Sequence, residues 1–377
     1  MEIYLDNAAT SMIDPRVSAA MLSCQDMKAM NASSAHKLGV VAAKAIEKAR
    51  AVIAREINAE PQELIFTSGG TESNNLALKG TAFANRERGK HIIVSQIEHM
   101  SVMETAQWLE TQGFQVTYLP VDREGFVSPK EVEKAIKRET ILVSIAHANN
   151  EVGTIEPIDE IGAICRSKKV YFHSDACQSF TKVKLDVKNQ NLDLVSLNAH
   201  KIHGPKGVGA LYVRNSVKME PLLHGGGQEG GLRSGTHHVE GIVGFGKAAE
   251  IAGEVDTAKL ATFRDDFIQK IQSSIEQTDL NGPRVKRLCN NINLRFRSVN
   301  GQSLSRELSE KNIYVSAGSA CLSTKVTPSH VLLAMGLEPE RAQEAIRISL
   351  SRFTTPEEVD LVVQSLSEIV RRSRKVG

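Results

Sequence analysis

Lys201 stands between His200 and His203 in "NAHKIHGPKGVGALY" (Asn198–Tyr212), after the apolar run "LDLVSL" and before "GALYV". A lysine between two interior strands either escapes to solvent or does chemistry, and its strand-like, glycine-rich flanks make a surface loop a poor account of it. Burial and neighbouring cations would keep its amine neutral, the form that attacks an aldehyde. Asp175 ends "VYFHSD", a run that reads as a strand covered on both faces. A carboxylate there needs a partner, and a cationic nitrogen is a sharper expectation than solvent. In "TSGGTESNN", Gly69, Gly70 and Thr71 open a helix whose first N–H groups and dipole suit a phosphate. A plain helix cap by Thr71 accounts for those residues almost as well. His99 opens a helix directly after a strand, as a capping or core imidazole or as a ring that stacks on a flat aromatic ligand. Taken together, a phosphate cup, a ring stacker, a carboxylate for a ring nitrogen and a lysine describe a site for pyridoxal 5'-phosphate (PLP). The lysine would hold it through a Schiff base, and the aspartate would keep the ring an electron sink.

These residues need a scaffold that brings strand ends together. From about Leu64 to Val213, short apolar runs alternate with helical patterns: "ELIFTS", "HIIVSQ", "ILVSIAH", "VYFHSD", "LDLVSL" and "GALYV". That rhythm predicts an α/β fold with a mostly parallel sheet covered on both faces. Ligands of such sheets lie at the carboxyl ends of the strands. Here those ends read Ser68-Gly69-Gly70-Thr71, Glu98-His99, Asn149-Asn150, Asp175 and His200-Lys201. A long helical stretch, Val239 to Gln277, precedes a second, smaller α+β region with strands in "CNNINLRF", "IYVSAG" and "AIRISL". The extended "EIYLDNAAT" is expected to cross between the two.

Forty-six basic against 44 acidic residues leave a net charge of +2, so no global field recruits nucleic acid. The basic "RRSRKV" at Arg371–Val376 reads as a solvated helix end. No secretory signal and no membrane-spanning apolar run is evident, and five scattered cysteines without a CxxC pair suggest neither disulfides nor a structural metal site. A cytoplasmic protein is the expectation. Cys24, Cys165 and Cys289 read as small core residues, and Cys177 more as packing than as chemistry.

Over essentially its full length the chain resembles the NifS/IscS-like cysteine desulfurases, relatives of the class V aminotransferases with PLP fold type I. The matching segments include "YLDNAAT", "FTSGGTESNN", "NNEVGTIEP", "HSDACQS", "AHKIHGPKGVGALY", "GGGQEGGLRSGT", "SAGSACLS" and "RISLSRFTT". The resemblance implies a large domain, residues 16–255, with a mostly parallel seven-stranded sheet covered by helices. It also implies a small α+β domain, 256–377, with which residues 1–15 pack. Lys201 would carry PLP and Asp175 would pair with its ring nitrogen. His99 would stack on the ring and serve in proton transfer. Asn150 and Gln178 would contact the ring's hydroxyl side, and Gly70, Thr71 and His200 would hold the phosphate. Thr236 would reach the phosphate of the neighbouring subunit in a homodimer. Arg347, with Asn150, would receive the substrate, the guanidinium clamping its carboxylate.

Cys321, in the small and polar "SAGSACLSTKVT", reads as a thiol on a mobile loop. As a thiolate it would take the sulfur of L-cysteine, leaving alanine and a persulfide. The persulfide would pass to an acceptor protein such as an iron–sulfur scaffold or a tRNA-thiolating enzyme, with no direct nucleic-acid or membrane partner. The span Cys321–Pro328 matches the longer form of this loop, which is associated with direct transfer to partners. Three departures stand out. Asn198 replaces a serine that donates to the phosphate, "AMNASSAH" replaces a Gly-Asn-Pro-Ser-Ser run, and "RRSRKVG" ends without the extension that holds a scaffold protein. A selenocysteine lyase or aminotransferase on the same fold is the competing enzyme reading; a non-catalytic partner-binding homologue is the other.

Overall fold

The computed structural model of the protein describes residues 2–25, 31–317 and 328–376. The chain begins with β1 (Ile3–Tyr4). The main sheet then collects β2 (Leu64–Thr67), β3 (His91–Ser95), β4 (Gln115–Leu119), β5 (Thr140–Ser144), β6 (Tyr171–Asp175), β7 (Leu194–Asn198) and β8 (Gly209–Val213). Their spatial order is β2-β8-β7-β6-β5-β3-β4. β8 runs antiparallel to both neighbours, and the remaining pairs are parallel. Parallel pairs need crossovers, which carry helices onto the sheet faces. Every residue of β3, β5, β7 and β8 is therefore buried. Ile93, Val143, Phe172 and Val195 face one side, with Ile46 and Ile53 of the helix Lys37–Arg55 and Phe245 of the helix Val239–Ala252. Ile92, Val94, Leu142 and Leu194 face the other, with Val102, Ala106 and Leu109 of the helix Met100–Thr111. The expected α/β sheet is present. β4, "QVTYL", was not among the runs read as strands: it is an edge strand, exposed at Gln115 and only partly buried through Tyr118, so it lacks a continuous apolar signal.

Three antiparallel strands, β9 (Thr278–Leu280), β10 (Asn291–Phe296) and β12 (Ala345–Ser349), form a second sheet in the order β12-β10-β9. The strand in "IYVSAG" is β11 (Ile313–Tyr314), which pairs instead with β1, in parallel. A separate apolar core gathers Ile292, Leu294, Ile346 and Ile348 with residues of the helices Thr257–Ser274 and Pro356–Val376, and Ile3 and Leu5 join it. The stretch Val239–Gln277 is thus not one helix but two. The break comes where Asp256 turns its carboxylate to the N–H groups of Ala258 and Lys259 and caps the second.

The N-terminal segment spans both cores, as its extended pattern predicts. Beyond β1, the Asn7 amide donates to the Ser349 carbonyl at 2.8 Å. The Ser11 N–H and hydroxyl both donate to the His200 carbonyl, and the hydroxyl accepts the His203 N–H. The turn that follows β7 is therefore shaped by residues nearly two hundred positions upstream.

A buried ion pair fixes the glycine-rich segment "GGGQEGGLRSGT". Glu229 accepts two bonds from the Arg50 guanidinium, at 2.7 and 2.8 Å, and one from the Phe66 N–H at 2.7 Å. Its other partner is His237 Nε2, also at 2.7 Å. Burial works against the charge, but Arg50 and His237 outweigh it and hold the carboxyl at about 2. Replacing Glu229 by Gln removes the buried counter-ion of Arg50 and leaves it only the exposed Glu47, and should cost about 3 kcal/mol in urea unfolding at neutral pH. Because the folded value lies below the unfolded one, the stabilisation is complete above about pH 5 and is lost as pH falls towards 2, so the deficit of the variant should shrink over that window. A deficit independent of pH would show that the charge is not what holds the segment.

Candidate active site

The carboxyl ends of β2, β3, β5, β6 and β7 converge on a cavity of about 230 Å³. Gly70, Thr71, His99, Asn150, Asp175, Gln178, Asn198, His200 and Lys201 all line it. At its β2 end the helix begins at Gly70, with Gly69 at the cap position and no side-chain capping bond. Thr71 is therefore not the cap, and its exposed side chain lies at the cavity. Gly69 has a φ of 151°, a conformation open to glycine. A Cβ on Gly70 would lie 2.6 Å from Cys177 Sγ. The first N–H groups of this helix have no acceptors within the helix, and they adjoin the cavity.

At the β6 end, Asp175 is 8% exposed yet accepts from the Asn74 amide at 2.7 Å and the Cys177 N–H at 2.9 Å. Burial raises its pKa, but His99, Asn74 and Cys177 together take it below the usual carboxylate value. Asn74 also donates to Ser101 Oγ at 2.8 Å, and Ser101 binds His99: its N–H donates to Nδ1 at 3.1 Å and its Oγ lies 2.8 Å from the same atom. His99 thus caps the helix Met100–Thr111 and also lines the cavity. With Nδ1 accepting a backbone N–H, the ring proton of the neutral form sits on Nε2. Desolvation first, then Lys201 and His330, lowers the pKa of His99 against the pull of Asp175.

Lys201 follows β7 in a turn, and desolvation, reinforced by Arg347, lowers its pKa while Cys177, Asp175 and Asp6 oppose. His200 is brought to about 4, chiefly by desolvation and then by Lys201, so it is neutral at pH 7. Asn198 is buried, and its Oδ1 has no hydrogen-bond partner among the described residues. Gln178 donates to the Ala8 carbonyl at 2.9 Å. Asn150 is positioned by its neighbour: Asn149 Oδ1 accepts the N–H groups of Glu151 and Val152 and turns the chain. Arg347, on β12, donates to the Asn150 carbonyl at 3.0 Å and to Asp6 Oδ1 at 2.8 Å, while its buried Nε has no partner among the described residues. Thr236 is exposed and does not line this cavity. Cys321 lies outside the described residues. Cys24, Cys165 and Cys289 are buried, as is Cys177. No helix among the described residues is long and apolar enough to cross a membrane.

Residues 3–362 match the family Aminotransferase class-V. The chain belongs to the class-V aminotransferase family. Among its class-V relatives, a cysteine desulfurase IscS from Methanosarcina thermophila is 49% identical, over 100% of this chain and 93% of the relative. A second from Clostridium botulinum is 46% identical, over 100% and 96%. Among solved structures, a NifS-like protein superposes with a TM-score of 0.92 at 40% identity, covering 98% of this chain and 100% of its own. Another, SspA in complex with cysteine, gives 0.84 at 41% identity, covering 94% and 100%.

In this class-V chain, several residues that shape the site escape a reading of strand ends. Asn74 and Ser101 join Asp175 to His99, yet each sits one turn into a helix, where a polar residue normally reports a solvated face. Asn74 does stand inside the quoted "TSGGTESNN". Asp6 holds Arg347 from a distance in sequence that no local pattern reveals. Glu98 is fully buried just before His99, bonded to Ser95 Oγ at 2.6 Å and to the Ala146 N–H at 2.9 Å, with its other oxygen unpartnered.

Two measurements test this packing. Gly70→Ala should cost about 1–3 kcal/mol in urea unfolding through its clash with Cys177, and adding Cys177→Ala should restore most of the loss; an additive deficit would show that the clash is elsewhere. Burial raises Glu98 to about 8, above its unfolded value, so its stabilisation is complete below about pH 4.5 and is lost as pH rises through 8. Glu98→Gln should therefore reduce the fall in unfolding midpoint between about pH 6 and 9, and an unchanged slope would assign that fall to other groups.

Proposed function

We propose that the protein is a PLP-dependent cysteine desulfurase that converts L-cysteine to L-alanine and leaves the sulfur as a persulfide on Cys321. The observation that carries this reading is an ionised, buried Asp175 facing the same cavity as the Lys201 amine and the glycine-opened helix start. The curated relatives named cysteine desulfurase and the neighbour bound to cysteine support the same substrate. The residues suit the cofactor: a Cβ is missing at Gly70, where the helix start adjoins the cavity, and Asp175, held below the usual carboxylate pKa, lines the same cavity as Lys201.

Asp175 would hold the proton on the ring nitrogen, its own ionisation secured by Asn74 and the Cys177 N–H. Gly70, Thr71, Asn198 and His200 would receive the phosphate, His200 as a neutral donor. Gln178 and Asn150 would contact the ring's hydroxyl side. Lys201 would carry the cofactor. When bound, PLP supplies an electron sink next to the substrate's α-carbon, which permits cleavage of the carbon–sulfur bond. His99 would face the bound ring and serve in proton transfer through Nε2, its orientation set by Ser101. Arg347 receives the substrate carboxylate beside Asn150, with its unpartnered Nε available and Asp6 holding the opposite side of the guanidinium. The Cys321 thiolate takes the sulfur and would hand it to an acceptor of the iron–sulfur scaffold or tRNA-thiolating kind.

The division we assign is 16–255 for the cofactor domain and 256–377 for a smaller one carrying Cys321, with residues 1–15 packed on the latter. Thr236, exposed on a segment that Glu229 and the Arg233–Glu72 pair anchor, would complete the phosphate site of a second copy in a homodimer.

Purified protein with PLP should absorb in the visible, shift its band on adding L-cysteine, and yield alanine and sulfide with a thiol reductant. Cys321→Ala should keep the cysteine-induced shift and lose sulfide by about a hundredfold or more. Undiminished alanine and sulfide in that variant would overturn the role of Cys321. A protein that acquires no visible band with PLP would overturn the enzyme reading.

A further inference from the structure

Lys182 is a second lysine beside the cavity, and the reaction as described leaves it unused. It follows β6 by seven residues, at the end of the turn that carries Cys177 and Gln178. Its ammonium donates to the Gln178 carbonyl at 3.0 Å and to the Lys201 carbonyl at 3.1 Å. One cation thus ties the turn after β6, with Gln178, to the turn after β7, with His200 and Lys201. Its remaining side adjoins a small cavity of about 40 Å³, shared with Lys201, Cys289 and Asn290.

We propose that Lys182 is a positioning residue for Lys201, clasping its carbonyl and lowering the proton affinity of its nitrogen through a half-buried positive charge that has no carboxylate partner among the described residues. The proposal rests on the reading of Lys201 as the residue that carries PLP. Backbone carbonyls offset only part of the cost of burying an ammonium, and desolvation brings Lys182 down to about 8, so it is mostly charged at neutral pH. The ionisable groups around it are Cys177 on its own turn, Lys201 and His203 on the turn after β7, Cys289 ahead of β10, and Arg352 after β12, which Asp14 pairs. The two cysteines are buried with raised pKa values and stay neutral. Lys201 in turn faces Asp175, Asp6 and Arg347 as well as Cys177, with His99 and His200 beside it. Against that mixed set, a cation across the shared backbone disfavours a proton on the Lys201 nitrogen, and the neutral form is the one that receives an aldehyde.

The test is a spectrophotometric titration of the holoenzyme, wild type and three variants, from about pH 6 to 10. It reads the midpoint at which the visible band reports protonation of the Lys201 nitrogen, with melting temperature recorded in parallel. Lys182→Met and Lys182→Gln remove the charge, and Gln retains an amide donor. Both midpoints should rise by about one pH unit, because loss of a nearby cation favours the protonated nitrogen. Lys182→Arg keeps the charge and should titrate within a few tenths of wild type. Unmoved midpoints in both neutral variants overturn the proposal, whatever their melting temperatures, since a merely structural lysine lowers stability without moving the titration. An equal rise in the Arg variant overturns the electrostatic role as well. Absence of the visible band from wild type is a separate result: it overturns the proposed function, and this inference with it.

Discussion

A carboxylate kept charged where water cannot reach it is the constraint from which the rest of the site follows. Asp175 ends an interior strand, and an isolated charge there would take up a proton rather than persist. It persists because Asn74 and the Cys177 N–H supply two bonds and His99 lies close by. Those partners fix other things in turn. Asn74 must come from the helix that Gly70 opens, which places the helix start against the cavity. Its second bond, to Ser101, sets the ring of His99. The turn that carries the Cys177 N–H also carries Gln178. A cavity-lining constellation drawn from three strand ends is thereby tied to one ionised group.

The other side of the cavity is built on a different principle. Arg347 lies on the antiparallel sheet of the second core, and it meets the main sheet only through the Asn150 carbonyl and through Asp6 of the N-terminal segment. Its position is thus set by how the two cores are joined. Beside an apolar cluster of Ile97 and Val152 with Val331, Leu332 and Met335, the join includes polar contacts: Asn7 on the Ser349 carbonyl, Ser11 on the His200 carbonyl, and Asn291 and Asn293 on the Glu151 carbonyl. Directional bonds of this kind specify one relative placement, where an apolar face would accept several.

Much of this was legible in the chain. The interior strands announce themselves because a strand covered on both faces must be apolar throughout, so the polar residues at their ends stand out. That contrast exposes Asp175, His99, Asn150 and Lys201. It fails where burial is partial, as in β4, and where a break in a helix is made by a cap, as at Asp256. It fails also for polar residues buried inside helical segments. Asn74 and Ser101 look like solvent-facing positions until the fold places a carboxylate, a hydroxyl and an imidazole against them, and so does Lys182 in its turn until two carbonyls meet it. Charge pairs such as Arg50–Glu229 and Arg347–Asp6 have no local signature, because their partners lie 179 and 341 positions apart. The resemblance to known desulfurases supplied Arg347 and Thr236, which neither spacing nor periodicity singles out.

The parallel pairing of β1 with β11, and of Asp6 with β12, has a consequence for how the protein is made. β1 pairs with a strand translated some three hundred residues later. Until then Ile3 and Leu5 have no core to enter, and Ser11 holds the turn of Lys201 without its far anchor. The main sheet can assemble while the chain grows, but the arginine side of the cavity closes last, in a contact of high sequence separation. The topology thus lets the main sheet and the turn of Lys201 form before β12 and Arg347 have been made.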